Sequence, residues 1–223
     1  MDIANIIQTI LIYALPVIFA ITIHEAAHGY VARYFGDNTA WALGRVTLNP
    51  IKHIDPVGTV LIPLIVLWLF DGKFVFGYAK PVPVNFNLLR NSKSSMIWVA
   101  LAGPASNFIQ AILWALLIYV LFAIGTNEPF FTKMAQAGVL VNLVMWAFNL
   151  FPLPPLDGGR VLAGLLPRGG PQDLLARIEP FGFFIVMGLV IAGVLGNWWL
   201  RPLMALGYDA INLVLTPLTA LLR

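Results

Sequence analysis

Residues 3–23, 94–127, 134–156 and 180–200 form four runs without a single Asp, Glu, Lys or Arg. Each reaches or exceeds the roughly 20 residues that a helix needs to cross the hydrocarbon core of a bilayer. In hydrocarbon every backbone N–H and C=O must be satisfied inside the segment, so runs of this kind fold as helices. Composition agrees: 60% of the chain is hydrophobic and 10% is charged, against roughly 25% charge in soluble domains. The chain therefore reads not as a soluble globular protein but as an all-α polytopic membrane protein, with four or more transmembrane helices. Its 223 residues fit one integral-membrane domain, 1–223.

The expected helices are 3–34, with Pro16 bending the first, then 95–124, 134–150 and 181–200. The first run has no basic stretch before it and no small-residue cleavage pattern after it, so it reads as a retained helix rather than a signal peptide. The apolar stretch 57–70 is 14 residues long with Pro63 inside, which is short for a crossing and suits a re-entrant or interfacial segment. Residues 74–87, rich in aromatic and β-branched side chains and interrupted by prolines, suggest an edge strand or extended loop. The tail 203–222 is apolar except for Asp209, and both a crossing and an interfacial placement fit it. Trp198, Trp199 and Arg201 suggest an interfacial anchor on the outer face.

Basic residues set the orientation. Seven lie in 33–93, three in 152–180, and only Lys133 between the second and third helices. By the positive-inside rule the two richer regions face the cytoplasm of a cell (inner) membrane, and the first and third helices run in the same direction. The net charge of +3 forms no dense basic patch, which argues against nucleic acid as a partner.

The chemistry starts in the first helix, at His24-Glu25-Ala26-Ala27-His28. Residues four apart share a helix face, so both imidazoles can reach one metal ion, with Glu25 beside them as a general base. Two of the chain's three histidines fall at this spacing. Ionisable groups in an apolar helix are costly unless paired or ligated. A catalytic zinc usually takes three protein ligands. With no cysteine in the chain, the strongest third candidate is Asp157, on the Leu156-Asp157-Gly158 turn after the proline run at 152–155. Parallel first and third helices bring it to the depth of His24 and His28. Asn149 is a polar residue in an apolar helix that suits a site role or a bond to a neighbouring helix. Asn142 reads as interhelical, Asn107 as a cap or packing residue near the site. His53 reads as a loop histidine bonded to Asp55 or to backbone, and Arg160 as a partner for Asp157 or a lipid phosphate.

With these motifs together, the chain resembles the site-2 proteases, the intramembrane zinc metalloproteases. The resemblance rests on His24-Glu25-Ala26-Ala27-His28 and on Asn149-Leu150-Phe151-Pro152 with Leu156-Asp157-Gly158. It extends to Gly44-Arg45-Val46-Thr47-Leu48-Asn49-Pro50, His53-Ile54-Asp55-Pro56, Pro81-Val82-Pro83-Val84-Asn85 and Ala102-Gly103-Pro104-Ala105-Ser106-Asn107. It covers about residues 15–165 and suggests a minimal member without a PDZ or CBS domain. It implies one Zn²⁺ per chain on His24, His28 and Asp157, water activation by Glu25, and substrate or transition-state support from Asn149 and, more weakly, Asn107. The implied partners are a transmembrane protein substrate and the lipid bilayer.

Two other classes compete. A membrane metal transporter needs ligands spread along a path, whereas these cluster at one depth. A catalytically silent zinc scaffold has no need of Glu25. If residues 74–87 pair with an unwound substrate, as in strand addition, deleting 74–85 abolishes cleavage and leaves metal content normal. Cleavage that survives the deletion refutes that role.

Overall fold

A computed structural model describes residues 3–62, 65, 77, 79–126, 128–167 and 169–221. The long helices are α1 (Ile3–Tyr34), α3 (Ser92–Ala123), α4 (Pro129–Asn149) and α8 (Arg201–Leu221). Between them lie the one-turn α2 (Thr39–Ala42) and the shorter α5 (Asp157–Leu165), α6 (Gly170–Ile178) and α7 (Gly182–Ile191). No strand occurs among the described residues. Four stretches are long and apolar enough to cross a membrane: Ile7–Tyr34, Ser92–Ala123, Pro129–Asn149 and Gly170–Ile191. The protein is an all-α integral membrane protein.

Lipid tails are as apolar as leucine, so small residues and buried amides, rather than a hydrophobic drive, bring such helices together. Ala20, Ala26 and Ala32 are among the buried positions of α1, and Trp114 of α3 lies against Gly138 of α4. α4 begins at Pro129, where the fixed φ suits the first helical turn, and the Glu128 side chain accepts a hydrogen bond from Phe130 N. It stops at Asn149, before the Phe151–Pro155 run. After this break α5 continues along the first turns of α3, with Gly164 against Ile97. The broken α4–α5 unit thus delivers Asp157 into the bundle instead of beyond its end.

The loop after α1 is held by capping side chains. Asn49, Asp55 and Asn85 each accept backbone N–H groups at the starts of short helical turns. The expected segment 57–70 lies largely outside the described residues; the part described, Pro56–Leu61, is a π-helical turn. Residues 79–85 form an irregular extended strap rather than a strand. Its backbone is tied at several points: Lys80 N donates to His53 O, Arg45 Nη2 donates to Lys80 O and Pro81 O, and Asn85 N donates to Asp37 Oδ2.

The C-terminal third departs from expectation. The single helix expected over 181–200 is broken at Gly193, whose φ is +71°. Both flanks of the broken segment return to the same end of α4. Gly182 packs on the Pro154 carbonyl, and Trp199 Nε1 donates to Ala147 O at 2.8 Å and meets Phe151 edge to face. Trp199 therefore lies beside the α4–α5 break, not at the opposite face. The tail forms α8, which runs along α3 and α4: Ile211 and Leu215 join Ala111, Ala115, Val139 and Leu143 in one buried cluster.

Asp37 anchors the strap from the side of α1. Its carboxylate accepts bonds from Thr39 N, Thr39 Oγ1 and Asn85 N. Burial pushes the carboxyl up, but these bonds outweigh it and hold it below the ordinary range. A carboxylate lowered in the fold stabilises it above the unfolded value of about 4 and loses that contribution as pH falls through the folded value. Asp37→Ala orphans these donors at any pH, at about 1–3 kcal/mol for a buried one. The expected result is faster limited proteolysis within 79–85 at neutral pH; wild type approaches that rate only in acid.

Candidate metal centre

His24 and His28 are buried one turn apart on α1. Each ring is fixed through Nδ1. His28 Nδ1 donates to Val99 O at 2.7 Å; a carbonyl only accepts, so that nitrogen carries the proton. His24 Nδ1 lies 2.6 Å from Asn107 Oδ1. The Asn107 amide is fixed in turn, since its Nδ2 donates to Ala20 O at 3.1 Å and to Asn142 Oδ1 at 3.0 Å. The Asn142 Nδ2 donates to Gly138 O. This chain of bonds ties α1, α3 and α4 together behind His24 and leaves both Nε2 atoms as bare acceptors.

Those two Nε2 atoms are 3.1 Å apart, and each is 3.3 Å from Asp157 Oδ2. Asp157 Oδ2 is buried and accepts no hydrogen bond among the described residues. Two imidazole lone pairs and a carboxylate oxygen facing one another in an apolar bundle repel unless a cation lies between them. Nitrogen and oxygen ligands at about 2.0–2.2 Å from tetrahedral zinc stand roughly 3.3–3.5 Å apart, close to the observed triangle. A Cβ on Gly103 would fall 2.6 Å from His24 Nε2 and closer still to His28 Nε2, so only glycine leaves this space open. The group fits a zinc ion.

Glycine is needed at 158 as well, where a side chain would collide with the Leu150 and Phe151 carbonyls. The close turn it permits places Asp157 against α1. Of the two partners read for Arg160 from sequence, Asp157 is not one it meets: Arg160 Nη2 lies 3.9 Å from Glu179 Oε1, and its guanidinium covers the Phe86 ring. His53 sits away from the triangle, its Nε2 donating to Thr47 O rather than meeting Asp55.

A cleft of ≈ 200 Å³ opens onto the triangle, lined by Glu25, Val82, Val84, Asn149 and Arg160 among others. Glu25 accepts Val82 N at 2.7 Å, so the strap closes one wall. The Asn149 Nδ2 donates to Met145 O in its own helix. Asn107 is fully buried behind His24. The strap's contact with Glu25 and the roles of Asp37 and Arg45 were not foreseen. The reading of 74–87 as an edge strand or extended loop was the sequence signal that something extended lies near the site.

The fold and site define a membrane zinc metalloprotease. The chain is 40% identical over 202 residues to "Putative zinc metalloprotease YwhC" of Bacillus subtilis, covering 88% of this chain and 87% of that one. It is 30% identical over 184 residues to "Putative zinc metalloprotease Rip2" of Mycolicibacterium smegmatis, covering 82% and 67%. The Mycobacterium tuberculosis protein of the same name is 28% identical over 184 residues, covering 81% and 66%. No family model and no solved structure matches the chain. The chain belongs to the site-2 protease family, and its cofactor is zinc.

A partner that orients a metal-binding histidine is worth about 10–100-fold in metal affinity. Asn107→Leu, which frees His24 Nδ1, weakens zinc binding by about that factor in a chelator competition titration. Helix content by circular dichroism stays unchanged.

Proposed function

We propose that this zinc protease is an intramembrane endopeptidase: it hydrolyses peptide bonds within transmembrane segments of membrane proteins, using one domain over 1–223. The observation that carries the reading is the triangle of His24, His28 and Asp157 with Glu25 in the same cleft. In this reading the three are the zinc ligands and Glu25 is the general base. Bound there, zinc polarises the scissile carbonyl and brings the pKa of bound water to about 7.

The chain's own groups do the rest. Glu25 takes a proton from the attacking water and passes it to the leaving amine. The Val82 N–H fixes one carboxylate oxygen, which holds the base in place while the other faces the cleft. Asn149 uses its amide N–H within its own helix, and its carbonyl oxygen serves the substrate backbone. A transmembrane helix has every amide bonded internally, so the substrate must unwind locally, and the strap over 79–85 offers an extended backbone beside the site. Depth supports the reading too. Trp199, an interfacial type of residue, is bonded to α4 beside the break. That level supports a cleft near the membrane surface, where water is available. The basic residues of 33–93 support a cytoplasmic location for this surface, in a cell membrane.

Glu25→Gln keeps the shape and removes the base. With purified protein in detergent and a transmembrane-helix substrate, cleavage falls by about 10²–10⁴-fold while one zinc per chain is retained. A zinc scaffold gives no cleavage in wild type either. Loss of zinc from wild type refutes the ligand set.

A further inference from the structure

The α8 helix carries a carboxylate that the site does not use. Asp209 and Asn212 are exposed, and neither side chain makes a hydrogen bond or ion pair among the described residues. With Ala205 and Thr216 they follow a spacing of four, three and four, so the four share one face. The packed face of α8, with Gly207, Ile211 and Leu215, lies on another side. Because α8 runs along α3 and α4, two membrane-crossing helices, this small and polar face lies at membrane depth. An unpaired carboxylate there is costly, and such residues face a partner or a cavity rather than lipid.

We infer that this face of α8 docks the transmembrane helix of the substrate, and that Asp209 selects helices carrying a hydrogen-bond donor, above all a lysine, at its depth. The inference rests on the intramembrane protease reading above. Charge complementarity favours this occupant over a second copy, since two parallel α8 helices would set Asp209 against Asp209. Small residues such as Ala205 permit close helix approach, and polar groups then hold the pair. The register follows from the fold. Trp199 marks the level of the α4–α5 break, and Asp209 is ten residues further, about 15 Å along the helix. A substrate cut at the metal centre therefore presents its donor about ten residues from the scissile bond, in the part that remains helical.

The test uses leucine–alanine transmembrane peptides that share one cleavable segment and carry a single lysine about 6, 10 or 14 residues from it, or none. For wild type, the peptide with lysine near ten shows a KM about tenfold lower than the lysine-free peptide, at similar kcat. Asp209→Leu removes this preference, so its KM for the peptide with lysine near ten equals its KM for the lysine-free peptide. Binding is read without cleavage in Glu25→Gln carrying Asn212→Cys, since the native chain has no cysteine. With copper–phenanthroline added as oxidant, a cysteine beside the peptide lysine then forms a disulfide crosslink, which Asp209→Leu weakens. If no peptide is cleaved, the protease reading fails, and the crosslink alone decides the docking surface. Cleavage and crosslinking that ignore the lysine position overturn the inference. Asn212→Cys chains that crosslink to each other despite added peptide overturn it too, in favour of a second copy.

Discussion

Three bare acceptor atoms, two imidazole Nε2 and one carboxylate oxygen, stand within 3.3 Å of one another inside an apolar helix bundle. Without a cation this arrangement is unfavourable, and with one it is a strong ligand set. Much of the bundle can be understood as the support that this triangle needs. The Nδ1 atoms of both histidines are bonded from behind, one by a backbone carbonyl and one by Asn107, so the rings cannot turn their protons inward. Asn107 and Asn142, both fully buried, fix the spacing of α1, α3 and α4. Gly103 keeps the third side empty. The break in α4 lets a residue from outside that helix re-enter at the depth of the histidines.

The strap over 79–85 adds a second layer of control. It has no secondary structure of its own, yet its backbone is held from both ends by Arg45 and Asp37, and in the middle by Glu25. The prolines at 81 and 83 leave Val82 and Val84 as the only N–H donors over 81–84, and the first of these holds the carboxylate of Glu25. The same element thus holds the Glu25 carboxylate and walls the cleft that opens onto the triangle. The broken segment 182–199 packs against the other side of the Asp157 loop, which gives that loop a fixed backing.

Much of this was legible in the sequence. The uncharged runs fixed the helical class, and α1 follows its expected bounds because the 3–34 pattern is long and uninterrupted. The His24–Glu25–His28 spacing and Asp157 came from helix geometry and from elimination among few ionisable residues. Other parts were not legible. Whether 181–200 crosses depends on where its two ends are tied, through Gly182 at Pro154 and Trp199 at Ala147, and such contacts leave no periodic trace. Arg160 turned to Glu179 and Phe86 because loop charges choose partners by fold, not by sequence distance.

The sequence by itself determined that the chain lives in a bilayer, that it is helical, and that two histidines and a glutamate share one helix face. These properties follow from local rules: backbone hydrogen bonds that hydrocarbon cannot satisfy, and a period of 3.6 residues. The tertiary structure alone decided the height at which α4 breaks, the second bond of each histidine, the wall that Glu25 leans on, and the exposure of Asp209. Those outcomes depend on how helices distant in sequence approach one another. That approach is set by small residues and buried amides whose partners lie 35 to 87 positions away, beyond the reach of any local pattern.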